Sequence, residues 1–330
     1  MQQQRDRAER QWLQTKATDT AIHRVELQQS AESSPGDLSL LNARSASTQL
    51  SGHLNSSAIT ELSGLAPILG SEKTYWAIND SGNRSELFAT TEQGVLIATI
   101  GLSVPNRDWE DLATFKASGK NWLVVADTGD NLQRRATSSL YFFQQPDLAQ
   151  LPQNLEQHHR IDFKYEDGPK NVESMAVSAS GKTVFLIAKE SGSAAVYSLP
   201  LVLDKPSGIL TAKRSGELHE LFTTEDTKWW ERKFAKRLLL APTALDISAD
   251  GRLAVVANYR HAYLFRRAAG EGWGSAFSRR PQVLLTHRME QSESIAFSSD
   301  SRRVIISSEG LHAPVLVVSP GVSPTESAAR

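Results

Sequence analysis

One short phrase, Asp108-Trp109-Glu110-Asp111-Leu112-Ala113, returns in altered form along the chain and restricts the fold more than any other feature. It reads Glu61-Leu62-Ser63-Gly64-Leu65-Ala66 before that point. After it come Asn171-Val172-Glu173-Ser174-Met175-Ala176, Pro242-Thr243-Ala244-Leu245-Asp246 and Gln291-Ser292-Glu293-Ser294-Ile295-Ala296. A turn and an apolar run follow each copy, at 74–78, 122–126, 184–188, 253–257 and 304–307. Period-2 alternation broken by Gly, Asn, Asp and Ser clusters reads as short antiparallel strands.

Aligned on Ser63, Glu110, Glu173, Thr243 and Glu293, the copies lie 47, 63, 70 and 50 residues apart. A four-stranded propeller blade takes about 40–50 residues, so the longer units hold insertions. The expected fold is all-β, a β-propeller of four-stranded blades, five by direct count or six if a blade hides in the long third unit. The last unit lacks its fourth strand and the segment before Ile59 supplies a spare one. Pairing the two closes the ring and removes the open edges of the array. Residues 1–45, rich in Gln, Ser and charge, read as a mobile polar arm. Residues 46–320 form one propeller domain with an insertion at about 222–241, helical by its apolar positions 230, 234 and 238. Residues 321–330 are a tail.

With 36 basic and 37 acidic residues the formal charge is −1, so no whole-molecule field recruits nucleic acid or an anionic membrane. The absence of cysteine excludes disulfides, thiolate chemistry and cysteine-bound metals. No apolar run reaches the roughly 18 residues of a membrane span. The polar start Met1-Gln2-Gln3-Gln4 lacks the apolar stretch of a secretory signal. The chain therefore stays in the cytoplasm or begins downstream of a removed signal, and a monomer is expected.

In a propeller the innermost strand lines a central channel, and side chains two apart share a face. The repeated phrase thus sets two polar tiers toward the axis. One is Ser63, Glu110, Glu173, Thr243 and Glu293; the other is Glu61, Asp108, Asn171, Ala241 and Gln291. Like charges that close need a cation, a guanidinium or trapped protons. Oxygen ligands of this kind suit Ca²⁺, and the expected metal ligands are Glu110, Glu173 and Glu293 with Asp80 and Asp127 from the ends of the second strands. Further binding residues at those ends and on the second tier are Glu61, Asp108, Asn79, Lys189, Glu190, Arg260 and Glu309. Asp, Asn and Gly after a strand are equally ordinary turn chemistry.

Several of these pieces resemble largely uncharacterised bacterial β-propellers related to the SdiA-regulated and phytase-like ("esterase-like activity of phytase") families. The likeness is in Glu61-Leu62-Ser63-Gly64-Leu65, Asn79-Asp80-Ser81-Gly82, Asp108 to Ala113, Asp127-Thr128-Gly129-Asp130-Asn131, Lys189-Glu190, Asp246 to Gly251 and Ser307-Ser308-Glu309-Gly310. The resemblance implies a propeller with an acidic face suited to Ca²⁺, and an exported, periplasmic or secreted protein. It implies no established reaction.

Two functions follow. The first is a binding propeller whose acidic channel face takes a small anionic ligand or a protein or envelope partner. Five similar acids with none set apart favour it, since enzymes separate the environments of their acids. The alternative is a metal-dependent hydrolase of a phosphoester, ester or lactone at the channel mouth, with Lys189 or Arg260 receiving an anionic group. In that reading Thr243, which interrupts the acid tier, marks an opening for substrate.

Overall fold

The computed structural model describes residues 46–190, 192–203, 208–221 and 239–319. The expected arm at 1–45, nearly all of the 222–241 insertion and the 321–330 tail lie outside the described residues. Within them the chain is almost wholly β, and no helix is long and apolar enough to cross a membrane.

The strands run up and down in antiparallel groups. The first comprises β2 (Leu62–Pro67), β3 (Thr74–Asn79), β4 (Glu86–Thr91) and β5 (Leu96–Leu102). The second comprises β6 (Trp109–Ala117), β7 (Lys120–Asp127), β8 (Ser138–Gln144) and, after the two-residue β9 (Asn154–Leu155), β10 (His159–Tyr165). Then come β11 (Val172–Val177), β12 (Thr183–Ala188), β13 (Ala195–Pro200) and β14 (Leu210–Glu217). They are followed by β15 (Ala244–Ile247), β16 (Leu253–Ala257), β17 (His261–Arg266) and β18 (Gln282–Thr286), with the one-turn helix α1 (Trp273–Phe277) before β18. The last group is β19 (Ser294–Phe297), β20 (Val304–Ser307) and β21 (Pro314–Ser319). Its missing outer strand is β1 (Ser47–His53), antiparallel to β21 with Ser47 opposite Ser319 and His53 opposite Pro314. One feature was not expected: β10 and β14, outer strands of neighbouring groups, pair in parallel through Phe163 and Leu210, fusing two groups into an eight-stranded sheet.

Burial explains why the second strands read as continuous apolar runs. Residues 122–127 of β7 and all of β16 are buried, because each is covered by a neighbouring group on both faces, as in a doubly covered sheet. Outer strands such as β5 and β10 alternate instead. Apolar layers fill the interfaces between groups. Trp76, Ile78 and Leu87 of the first pack on Trp109, Leu123 and Phe143 of the second, and Leu62, Tyr75 and Phe88 meet Ile305, Val315 and Val317 of the last. The first strands touch in the order β2, β6, β11, β15, β19 and back to β2. The fold is propeller-like, and its inner wall is built from the repeated phrase.

Candidate functional site

The acid tier owes its aim to a repeated irregularity. The β2–β3 ladder slips at Ser63, the β6–β7 ladder at Glu110 and the β11–β12 ladder at Glu173. A bulge leaves one residue unpaired and turns its side chain away from the regular pleat. Thr243 and Glu293 stand one residue before the first paired positions of β15 and β19. All five positions therefore sit at the same end of the inner wall.

The five then diverge. Ser63 donates from Oγ to the Trp109 carbonyl at 3.0 Å, and Thr243 donates from Oγ1 to the Ser292 carbonyl at 2.7 Å. Each hydroxyl latches its strand to the next, and both residues are fully buried. Thr243 is thus a strand tie, not the opening expected from the break in the tier.

On the first two groups, ligand oxygens of Asp80, Asp108 and Glu110 come within 4.8 Å of one another. The Asp80 turn is pinned from behind, with its N–H donating to the Glu61 carbonyl at 2.8 Å and Asn106 Nδ2 donating to its own carbonyl at 2.9 Å. Gly129 lies directly against the carboxylates: a Cβ there would stand 2.5 Å from Asp108 Cγ and closer still to a Glu110 oxygen. Burial, then the charge of Glu293, pushes Asp80 up to about 7. Burial likewise raises Asp108. Glu110 is held well above the usual carboxylate range by burial and by Glu173, Asp80 and Asp108. Three such acids, all oxygen donors around a cleft that a methyl group would fill, fit a hard divalent cation.

The other half of the wall carries its own cation. Lys189 Nζ lies 2.5 Å from Glu173 Oε1 and 3.8 Å from Glu293 Oε1, and donates to Tyr259 Oη at 2.9 Å. Tyr259 donates onward to Glu293 Oε1 at 2.7 Å, and Asn171 Nδ2 donates to Glu173 Oε1 at 3.2 Å. Burial works against the ammonium, but Glu173, Tyr259 and Glu293 outweigh it and keep Lys189 charged. Burial pushes Glu173 up to about 8 even with Lys189 beside it. Glu309, bonded by Gln291 Nε2 at 2.7 Å, is pushed up to about 10 by burial and by Glu293.

The remaining expected residues stand apart. Asp127 is fully buried in an ion pair with Arg135 at 2.7 Å and is not among the three converging acids. Asn79 ends β3 and ties it to the segment before β2, accepting from Glu61 N–H and donating to the Ala58 carbonyl. Glu61 accepts from Asn83 Nδ2 at 2.7 Å. Glu190 faces Lys170 and the Ala195 N–H, away from the acids. Arg260 donates its N–H to Asn258 Oδ1 in the β16–β17 turn and makes a further interaction besides.

Sequence reasoning missed Tyr259, Arg135 and a belt deeper in the channel. Asp111 accepts from the N–H groups of Leu112, Met175 and Leu245, spanning β6, β11 and β15. Asp246 accepts from Ile247 and Phe297, tying β15 to β19 at 2.7 Å for each bond. Its only signal was a lone acid in an apolar strand. Asp246 keeps some exposed surface yet is surrounded by protein, and that burial pushes it up to about 7. A carboxyl raised in the folded state stabilises the fold as pH falls through that value toward the unfolded pKa near 4. Urea unfolding of Asp246→Asn should therefore show a shallower rise in stability between pH 8 and pH 4 than wild type, by up to about 1.4 kcal/mol per pH unit. Identical slopes would assign the pH dependence elsewhere.

No family model and no curated protein matches the sequence. Among solved structures, the chain is similar to a gluconolactonase of Xanthomonas campestris described as important in glucose secondary metabolic pathways, with a TM-score of 0.43 and 10% identity over 83% of this chain and 89% of that one. A likeness of that degree bears on neither the fold nor the chemistry.

Proposed function

We propose that this protein is a five-bladed propeller hydrolase that cleaves an ester or lactone beside a divalent cation, Ca²⁺ by its oxygen ligands, held by Asp80, Asp108 and Glu110. One observation carries the reading: the acids are not equivalent. Three converge and form no ion pair with a basic side chain among the described residues, while two are neutralised by Lys189. A ring built only by repetition would be uniform, whereas reactive sites push the environments of their acids apart.

The cation, when bound, supplies charge that polarises an acyl oxygen and makes a nearby water more acidic. The protein supplies the rest. Gly129 leaves the space, Asn106 and Glu61 fix the Asp80 turn, and the Asp111 and Asp246 belt holds the inner strands in register. A neutral acyl substrate fits better than a phosphoester or other small anion. Lys189 is saturated by Glu173, Glu293 and Tyr259, Arg135 is taken by Asp127, and Arg260 is engaged. No cation in this group is left for a phosphate.

Thermal unfolding in excess EDTA followed by a Ca²⁺ titration tests the reading. Saturation to about 100 times Kd should add roughly 2.7 kcal/mol of stability, and Glu110→Gln should lose that increment while unfolding near the wild-type temperature in EDTA. With calcium present, neutral esters or lactones should be hydrolysed in preference to phosphoesters. No calcium shift, or equal losses in Glu110→Gln with and without calcium, would remove the metal site.

A further inference from the structure

The three converging acids come from two different groups of strands. Asp80 stands in the turn after β3, whereas Asp108 and Glu110 flank Trp109 at the start of β6. Ligands that must first be brought together spend part of the binding energy on that ordering. A cation shared by all three is therefore held only as tightly as these two segments are fixed against each other.

One side chain joins them. Asn106, half-buried, donates from Nδ2 to the Asp80 carbonyl at 2.9 Å and to the Asn79 carbonyl at 3.2 Å, and accepts at Oδ1 from Trp109 N–H at 3.2 Å. These partners orient the amide, with two carbonyls on its nitrogen side and an N–H on its oxygen side. The Asn106 N–H donates to Ser85 Oγ at 3.0 Å, which anchors its backbone to the first group as well. None of these bonds uses a carboxylate oxygen. Ser81 differs, because its side chain reaches the Asp108 carboxylate itself. Asn83 supports the Asp80 carbonyl at 3.2 Å, but from within the same turn. Asn106 thus spans the two segments through their backbones and leaves the ligand oxygens to the ion.

Resting on the metal-site part of the hydrolase reading, we infer that Asn106 is the positioning residue of this site: its amide sets the spacing of Asp80 from Asp108 and Glu110, and with it the affinity for calcium. A carboxylate of the same shape would set an oxygen against two carbonyls, and an apolar side chain would bridge nothing. Partners that orient metal ligands from behind are worth about 10–100-fold in affinity.

The test is Asn106→Leu in the full chain, which keeps the volume and removes the side chain's bonds, beside Thr114→Val. Thr114 Oγ1 donates to the Pro67 carbonyl at 2.8 Å and ties the same two groups further along β6. Both variants should unfold at a lower temperature than wild type in EDTA. Calcium calorimetry should show affinity falling by about 10–100-fold in Asn106→Leu and unchanged in Thr114→Val. Terbium, a hard cation that takes the same oxygen ligands, can be excited through Trp109, which stands between two of the acids in the chain. Its luminescence lifetime should shorten in Asn106→Leu, where a loosened site admits more water to the ion, and keep the wild-type value in Thr114→Val. Wild-type affinity and lifetime in Asn106→Leu would overturn the inference and leave the metal site standing. Equal losses of affinity in the two variants would overturn it too, since general docking of the groups would then be the cause. A wild-type protein that binds neither ion would remove the metal site, and the brace with it.

Discussion

Lys189→Met should be the most destabilising single substitution in the channel wall, costing about 3–5 kcal/mol because it strips the shared ammonium from two buried carboxylates. Glu173 would be left with Asn171, and Glu293 with Tyr259 and the protonated Glu309, as neutral partners. Against a total stability of about 5–15 kcal/mol for a typical domain, that is a large share. The loss has a pH signature. Glu173 already sits at about 8 with the ammonium in place, and removing Lys189 raises it further. Protonation therefore rescues the variant as pH falls, and the gap from wild type should be widest above pH 8 and shrink toward pH 5. Thermal unfolding at the two extremes measures it. A constant gap would mean that Lys189 acts by packing alone.

Gly129→Ala is expected to do the opposite: abolish the metal response and spare the fold. The added Cβ meets Asp108 Cγ and a Glu110 oxygen rather than backbone atoms. Side-chain carboxylates swing aside cheaply, so stability in EDTA should fall by no more than about 1 kcal/mol, less than the usual cost of overpacking a core. The same swing pulls apart ligand oxygens that now lie within 4.8 Å. Calcium affinity should drop by at least about 100-fold, roughly 2.7 kcal/mol. Calorimetry on the variant decides: wild-type calcium affinity would place any bound cation away from Asp108 and Glu110.

The architecture was legible because the repeated phrase and the apolar run after it are local signals. The polar tiers could be counted from the phrase, and the spare strand before Ile59 found its place against the last unit. What stayed hidden was which acid meets which partner. Lys189 and Tyr259 are 70 residues apart, and Tyr259 and Glu293 are 34 apart. Nothing in either neighbourhood marks the pairing. The Asp80 and Asp127 turns look alike in sequence, but Arg135 claims only the second. Thr243 looked like a gap because an acid was missing, yet it is fully buried and its hydroxyl is spent on the Ser292 carbonyl. The bulges at Ser63, Glu110 and Glu173 are set by cross-strand pairing, which a single strand does not record.

The pairing of β1 with β21 also sets a schedule. On the ribosome β1 emerges early and must wait for everything between His53 and Pro314 to be made before its partner exists. At about 5–20 residues per second that is a delay of tens of seconds. An unpaired strand exposed for so long is a template for association with other chains. The composition of β1, Ser47-Thr48-Gln49-Leu50-Ser51-Gly52-His53, carries a single large apolar side chain. Such a strand is poor bait for a stranger, and it contributes backbone hydrogen bonds once β21 arrives.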